Sequence, residues 1–139
     1  MKIKLLLTVV SLATAFGMAA ESPLWLRDVA VSPDGETVAF TYKGDIYTVP
    51  FAGGKATRLT TSQAFDGNPV WSPDGTQIAF ASDREGSMDI FIVPATGGTP
   101  VRLTTNNAGN ETPRAFLNGE TVLFESSVAP SRTAAQGPF

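Results

Sequence analysis

Serine and aspartate recur in this chain at a fixed distance, and any chemistry it performs would have to begin with them. Ser32 and Ser72 each open a Ser-Pro-Asp-Gly turn, forty positions apart. A serine hydroxyl becomes a nucleophile when a neighbouring base takes its proton. The chain has no His and no Cys, and no lysine neighbours either serine. Ser-His-Asp triads, Cys-His pairs, cysteine zinc sites and disulfides therefore cannot be built from it alone. Ser32 and Ser72 are expected to cap their turns, because Ser and Asp side chains bond local backbone there. Asp34 and Asp74 have the chemistry of metal ligands, but in these turns an Asx-type role is expected. Asp83, Glu85 and Asp89 lie close in sequence and are of the type that gathers calcium. They lack the loop pattern that closes on a bidentate Glu. No catalytic, cofactor-binding or metal-ligating residue is assigned, and no cofactor is expected.

Composition narrows the partners. Over 139 residues the net charge is −3. Without Lys2 and Lys4, 8 basic groups face 13 acidic ones, a net charge of −5. No Lys/Arg run is present, so nucleic acid is a poor candidate partner and none is expected. Absence of Cys does not fix the redox compartment. With 13 Gly and 10 Pro, turns should be plentiful.

Residues 1–20 read as a signal peptide. Met1 to Lys4 is a short basic region, Leu5 to Phe16 is mostly apolar, and Gly17-Met18-Ala19-Ala20 is a small-residue cleavage site. The apolar run is shorter than the about 20 residues that span a bilayer. No other segment is a transmembrane candidate. An exported protein of the periplasm or cell envelope is expected, with no membrane span once the signal is removed.

The elements that must position these side chains are set by an internal repeat. Val31-Ser32-Pro33-Asp34-Gly35 returns as Trp71-Ser72-Pro73-Asp74-Gly75, and Val38-Ala39-Phe40 returns as Ile78-Ala79-Phe80. The offset then grows by four, across a longer loop at Ser82 to Ser87. Asp45-Ile46-Tyr47 matches Asp89-Ile90-Phe91, Gly53-Gly54 matches Gly97-Gly98, and Arg58-Leu59-Thr60-Thr61 matches Arg102-Leu103-Thr104-Thr105. A third copy starts at Pro113, with Asn118-Gly119 in the turn and Val122-Leu123-Phe124 in the strand. Past Val128 it fades, and Ser126 to Phe139 is expected to be a Ser/Ala/Pro-rich tail without a further strand.

Each full unit holds four strand signals. In the first these are Val29 to Val31, Thr37 to Tyr42, Asp45 to Val49 and Lys55 to Leu59. Between them lie the Ser-Pro-Asp-Gly turn, the Lys43-Gly44 hairpin and the Gly53-Gly54 turn. Pro50 closes the third strand, since it has no N–H to pair. Four antiparallel strands per unit, at a period of about 40–45 residues, mark the blade of a β-propeller. A β-sandwich also uses short, regularly spaced strands, but its strands differ from one another whereas blades repeat. The fold class is therefore all-β: a partial β-propeller of two four-stranded blades and the start of a third.

Asp45 and Asp89 open equivalent strands, so they are expected to serve the blade rather than a ligand. Arg58 and Arg102 are expected to pair with acidic neighbours at blade edges, as exposed pairs of little energy. Phe40, Trp71, Phe80, Phe91 and Phe124 recur at matching places and are expected to form the core between blades. Trp25 and Phe65, also forty apart, are expected to pack likewise.

The Ser-Pro-Asp-Gly turn, the Ile-Ala-Phe strand, the Asp-Ile-aromatic strand and the Gly-Gly…Arg-Leu-Thr close resemble the WD-like propeller repeat of TolB. They resemble equally the N-terminal propeller of tricorn-type serine peptidases. The likeness runs from Val29 to about Phe124. Phe40 to Pro50 looks like the first blade of the exported tricorn-type peptidases, and so does Pro23-Leu24-Trp25-Leu26-Arg27 directly after a signal. TolB, by contrast, usually carries a separate domain before its propeller. The resemblance to the tricorn type implies a propeller that gates or filters peptides for a serine-peptidase domain elsewhere in a parent protein. Nothing here matches that catalytic domain, so no catalytic residue is carried over. The TolB resemblance implies instead a periplasmic propeller that binds envelope proteins and has no enzyme. A propeller fused to an α/β-hydrolase or an amidohydrolase is a third possibility.

The chain divides into a signal peptide at 1–20, a first blade with its lead-in at 21–69, a second blade at 70–113, and the start of a third with a truncated tail at 114–139. Propellers close with about 4–8 blades. The expected partners are thus peptides or proteins, and the remaining blades of a larger parent chain.

Overall fold

The computed structural model describes residues 25–105 and 109–128, and the backbone of 135–136. The signal peptide expected at 1–20 lies outside the described residues. The strands are β1 (Leu26–Val31), β2 (Thr37–Tyr42), β3 (Asp45–Pro50), β4 (Thr57–Arg58), β5 (Asp66–Trp71), β6 (Gln77–Ser82), β7 (Asp89–Pro94), β8 (Val101–Arg102), β9 (Glu111–Phe116), β10 (Thr121–Ser126) and β11 (Ala135–Gln136). They form antiparallel sheets in the orders β1-β2-β3-β4, β5-β6-β7-β8 and β11-β10-β9. The protein is an all-β, unclosed propeller in which β1, β5 and β9 contact one another in sequence as the innermost strands. No described helix is long and apolar enough to cross a membrane.

The repeat in sequence becomes a repeat in register. Val38 pairs with Val49 and Ile78 with Val93, while Phe40 pairs with Tyr47 and Phe80 with Phe91. In the turn after β1, Gly35 N donates to Ser32 O at 2.9 Å, and Gly35 takes φ +77°, where glycine pays no steric penalty. Lys43 and Gly44 both have positive φ, 52° and 85°, the two-residue hairpin whose twist matches the flanking strands.

Four details differ from the sequence reading. β1 begins at Leu26 rather than Val29, because a bulge between Arg27 and Ala30, with Asp28 at φ 52°, lets pairing resume beyond it. β5 repeats the device between Gly67 and Val70, with Asn68 at φ 55°. β3 and β7 include Pro50 and Pro94 as their last residues. Of the fourth strand expected at Lys55 to Leu59, only Thr57–Arg58 pairs. The expected tail also carries β11, whose Ala135 pairs with Val122 at the register of Val49 and Val93. A two-residue strand needs only the free backbone groups along β10, so it leaves no alternation to read.

The core lies between the sheets. Ile78, Phe80, Phe91 and Val93 of the second sheet meet Ala39, Ile46 and Leu59 of the first, with Trp71 packed on the cluster. Ala79 and Ile90 point the other way and meet Val122, with Leu103, Phe116 and Phe124 around them. The two-residue period of a strand thus gives the second sheet one buried face toward each neighbour. That is why β6 and β7 are buried almost throughout.

Candidate functional site

The serines of the repeated turns are fully engaged. Ser32 Oγ donates to Asp34 Oδ1 and accepts from Thr37 N at 2.9 Å. Ser72 Oγ donates to Asp74 Oδ1 at 2.6 Å and accepts from Gln77 N at 2.9 Å. The serine hydroxyls, and the backbone N–H groups of Glu36 and Thr76, hold Asp34 and Asp74 below the usual carboxylate range. Both hydroxyls are buried. A hydroxyl that donates to one carboxylate and accepts from a backbone N–H across the turn locks that turn.

Asp83, Glu85 and Asp89 are not gathered. Asp83 Oδ1 accepts from Phe65 N at 2.8 Å, Asp89 faces Arg102, and Glu85 is exposed. Among the described residues no group of three or more His, Cys, Asp or Glu could hold a metal ion.

The repeated acids instead build polar seams between blades. In the first seam Arg58 pairs with Asp45 at 2.8 Å, and Thr60 Oγ1 accepts from Ile46 N at 3.0 Å. Asp66, which opens the next blade, donates its N–H to Gly44 O at 2.7 Å, and Arg84 reaches its Oδ1 at 3.0 Å. In the second seam Arg102 pairs with Asp89 at 2.7 Å, and Thr104 Oγ1 accepts from Ile90 N at 2.9 Å. Glu111 N there donates to Met88 O at 2.8 Å. The arginine pairs anticipated from the sequence are thus present and differ in burial: Arg58 is 44% exposed over an Asp45 that is 12% exposed, whereas Arg102 is 24% exposed over an Asp89 that is 0% exposed. Sequence reasoning missed Asp66, Arg84, Thr60, Thr104 and Glu111. The repeated Arg-Leu-Thr carried a signal for the threonines. Arg84 had none, since it sits in the four-residue insertion and joins the seam only through folding.

Arg84 is fixed by more than charge. Its Nε donates to Ser82 Oγ at 2.9 Å, and its guanidinium stands 4.5 Å from the Phe91 ring centroid. A cation over an aromatic face gains from the ring quadrupole.

A cavity of about 500 Å³ opens at the hairpin end of the first blade. Its walls are Trp25 before β1, Arg27 at the β1 bulge, Thr41 of β2, the Lys43-Gly44 hairpin and Phe65 from the β4–β5 connection. The Phe65 ring lies so close to Gly67 that a Cβ there would stand 2.9 Å from Phe65 Cε1. Trp25 and Phe65 were expected in the core, but they are 58% and 44% exposed and line this cavity. No described sheet covers the outer face of the first blade, so Trp25 has nothing to pack beneath. The Thr41 hydroxyl is buried without a hydrogen-bond partner. Apolar walls and two cations suit an extended ligand with apolar and anionic groups.

Comparison with known proteins agrees with this geometry. The family described as the tricorn protease N-terminal β-propeller domain matches residues 23–138. Tricorn protease homolog 1 of Streptomyces coelicolor is 40% identical over 68 residues, which are 49% of this chain and 6% of that protein. Among solved structures, a protein assigned as TolB from Agrobacterium tumefaciens superposes with a TM-score of 0.65 at 32% identity, over 74% of this chain and 39% of that one. TolB from Acinetobacter baumannii superposes with a TM-score of 0.67 at 22% identity, over 76% and 28% of the respective chains, and speaks for the fold alone. The chain spans well under half the length of each of these relatives.

Proposed function

The chain belongs to the tricorn protease N-terminal β-propeller family, and from that premise we propose that it is propeller substance of an exported tricorn-type serine peptidase of the C-terminal-processing family. Its task in that reading is to hold or gate peptides, while catalysis resides in other domains of a parent protein. No residue of this chain takes a catalytic, metal or cofactor role. The division into a signal at 1–20, removed on export, two blades and the start of a third is part of the proposal, with the blade bounds moved from 69/70 and 113/114 to lie before Asp66 and Glu111, where the second and third sheets begin. The observation that carries the reading is the 40% identity to tricorn protease homolog 1 over half the chain. The cavity beside Trp25, with Arg27 and Lys43 at its rim, supplies a surface on which peptides with acidic or C-terminal carboxylates could rest.

Two measurements test it. An antibody to the Asp83–Asp89 loop should detect, in an envelope fraction, a band several times larger than this chain. A band of that size confined to the cytosol would defeat export, and one at the size of this chain would defeat the larger parent. Acidic peptides added to the purified chain should change Trp25 emission without being cleaved. Hydrolysis by the chain itself would contradict a non-catalytic propeller.

The TolB likeness, at 32% identity over 74% of the chain, favours a second reading. In it the propeller docks envelope proteins and no peptidase is present. Recovery of an envelope lipoprotein in a pull-down, with no serine-peptidase domain in the large band, would select this reading over the first.

A further inference from the structure

The two seams are built alike but are not balanced alike. Across the first, Asp45 and Asp66 are met by Arg58 and Arg84. Across the second, Asp89 and Glu111 share the neighbourhood of Arg102. The place of Arg84 in the third blade is held by Val128, and the backbone proves the equivalence. Arg84 N donates to Ser82 Oγ at 3.4 Å, as Val128 N does to Ser126 Oγ at 3.3 Å. Phe65 N donates to the Asp83 side chain at 2.8 Å, as Asn110 N does to Ser127 Oγ at 2.8 Å. Asp83 N donates to Phe65 O, as Ser127 N does to Asn110 O. The loop is thus copied, but its arginine is replaced by an uncharged side chain.

We infer that the second seam takes up a proton on Glu111 in place of the missing arginine, which makes this one blade junction responsive to pH. Glu111 is 3% exposed and Asp89 is fully buried. Glu111 Oε2 and Asp89 Oδ1 both lack a hydrogen-bond partner. Two buried carboxylates with unpaired oxygens are costly when both are ionised, and one proton relieves that cost. Protonated, Glu111 gains an O–H donor, and Asp89 Oδ1 is an acceptor across the same seam.

The groups facing Glu111 are Asp89 from β7, Arg102 from β8, Thr104 from the segment after β8, and Ser126 opposite it on β10. Burial raises Glu111 above its ordinary value of 4.5, the Thr104 hydrogen bond opposes this, the Asp89 charge adds to it, and Arg102 opposes it. The fold therefore favours the protonated form. The seam is strongest below the ordinary glutamate value, weakens as pH rises through Glu111's raised value, and is level above it.

The test is a pH titration of the full chain by carboxyl-carbon NMR, with thermal unfolding at each pH, for wild type, E111Q, V128R and R84M. Glu111 should titrate above 4.5. Relative to E111Q, the wild-type folding constant should fall by up to about tenfold per pH unit inside that window. V128R supplies the absent guanidinium and should return Glu111 to an ordinary or lower value. R84M removes a guanidinium from the first seam only and should leave the Glu111 titration unchanged. A Glu111 signal that titrates at or below 4.5, or parallel stability curves for wild type and E111Q, would overturn the inference. The wild-type titration decides the matter alone if a variant fails to fold.

Discussion

Trp71 Nε1 donates a hydrogen bond to the carbonyl of Ala30 at 3.1 Å, so a side chain of β5 is tied to the backbone of β1 in the preceding blade. The same indole packs on the core between these two sheets. One residue thus joins the blades both by apolar contact and by a directional bond. Replacing it with Phe keeps most of the apolar contact and removes the donor. W71F is expected to lose about 1–2 kcal/mol in urea unfolding, as typical for a part-buried acceptor left without its partner. A loss below the error of the measurement would mean that the bond is not formed in solution.

The turn serines give a prediction of opposite pH sign to that of Glu111. Asp34 and Asp74 are held below 3.8 chiefly by Ser32 and Ser72. Their contribution is present above that ordinary value and is lost as pH falls through the depressed one. S32A and S72A should each destabilise the chain at neutral pH and make its loss of stability in acid shallower. Melting curves recorded from neutral to strongly acidic pH check this, and unchanged acid sensitivity in the double variant would refute it.

Burial should separate two ion pairs of the same chemistry. Arg102→Met leaves the fully buried Asp89 without its 2.7 Å partner, and a loss of about 3–5 kcal/mol is expected. Arg114 and Glu125 are also paired, but their side chains are 52% and 66% exposed. Arg114→Met should cost at most about 1 kcal/mol. Chemical denaturation of the two variants side by side gives the comparison, and equal losses would contradict it.

Phe80 is completely buried and stacks on Phe91 with ring centroids 6.0 Å apart. F80A should cost about 3–5 kcal/mol, including the cavity it leaves. Phe124, half-buried in the smaller cluster, should cost clearly less. Differential scanning calorimetry of the two variants would show whether that order holds.

The fold was legible because a blade writes itself into sequence three times over, in its turns, its alternation and its period. Ser32-Pro33-Asp34-Gly35 specifies a turn through local backbone bonds alone, and Ile78-Ala79-Phe80 specifies a strand through packing. The seam was only half legible. Arg58 and Arg102 announce pairs, but their burial depends on how closely the next sheet lies, which no local pattern states. Arg84 was hidden because its partner Asp66 is eighteen residues away and its loop breaks the repeat. Trp25 and Phe65 misled because position in the repeat was equated with burial, although only a neighbouring sheet or loop can cover a side chain. β11 left no trace because it draws its pairing from β10 rather than from its own residues.

The second sheet, covered on both sides, has a consequence for how the chain can change. Along β6 and β7, odd and even positions meet different neighbours, so almost no residue between Ile78 and Val93 on those strands is free to turn polar. In the first sheet Ala39 and Ile46 face the second, while Phe40 stacks on Tyr47 with its side chain still buried, so that sheet is also constrained along both faces. New surface chemistry is therefore easiest to acquire at the exposed ends of strands, as at Phe51 and Leu117, while the middle blade acts as the fixed frame against which such variation is tolerated.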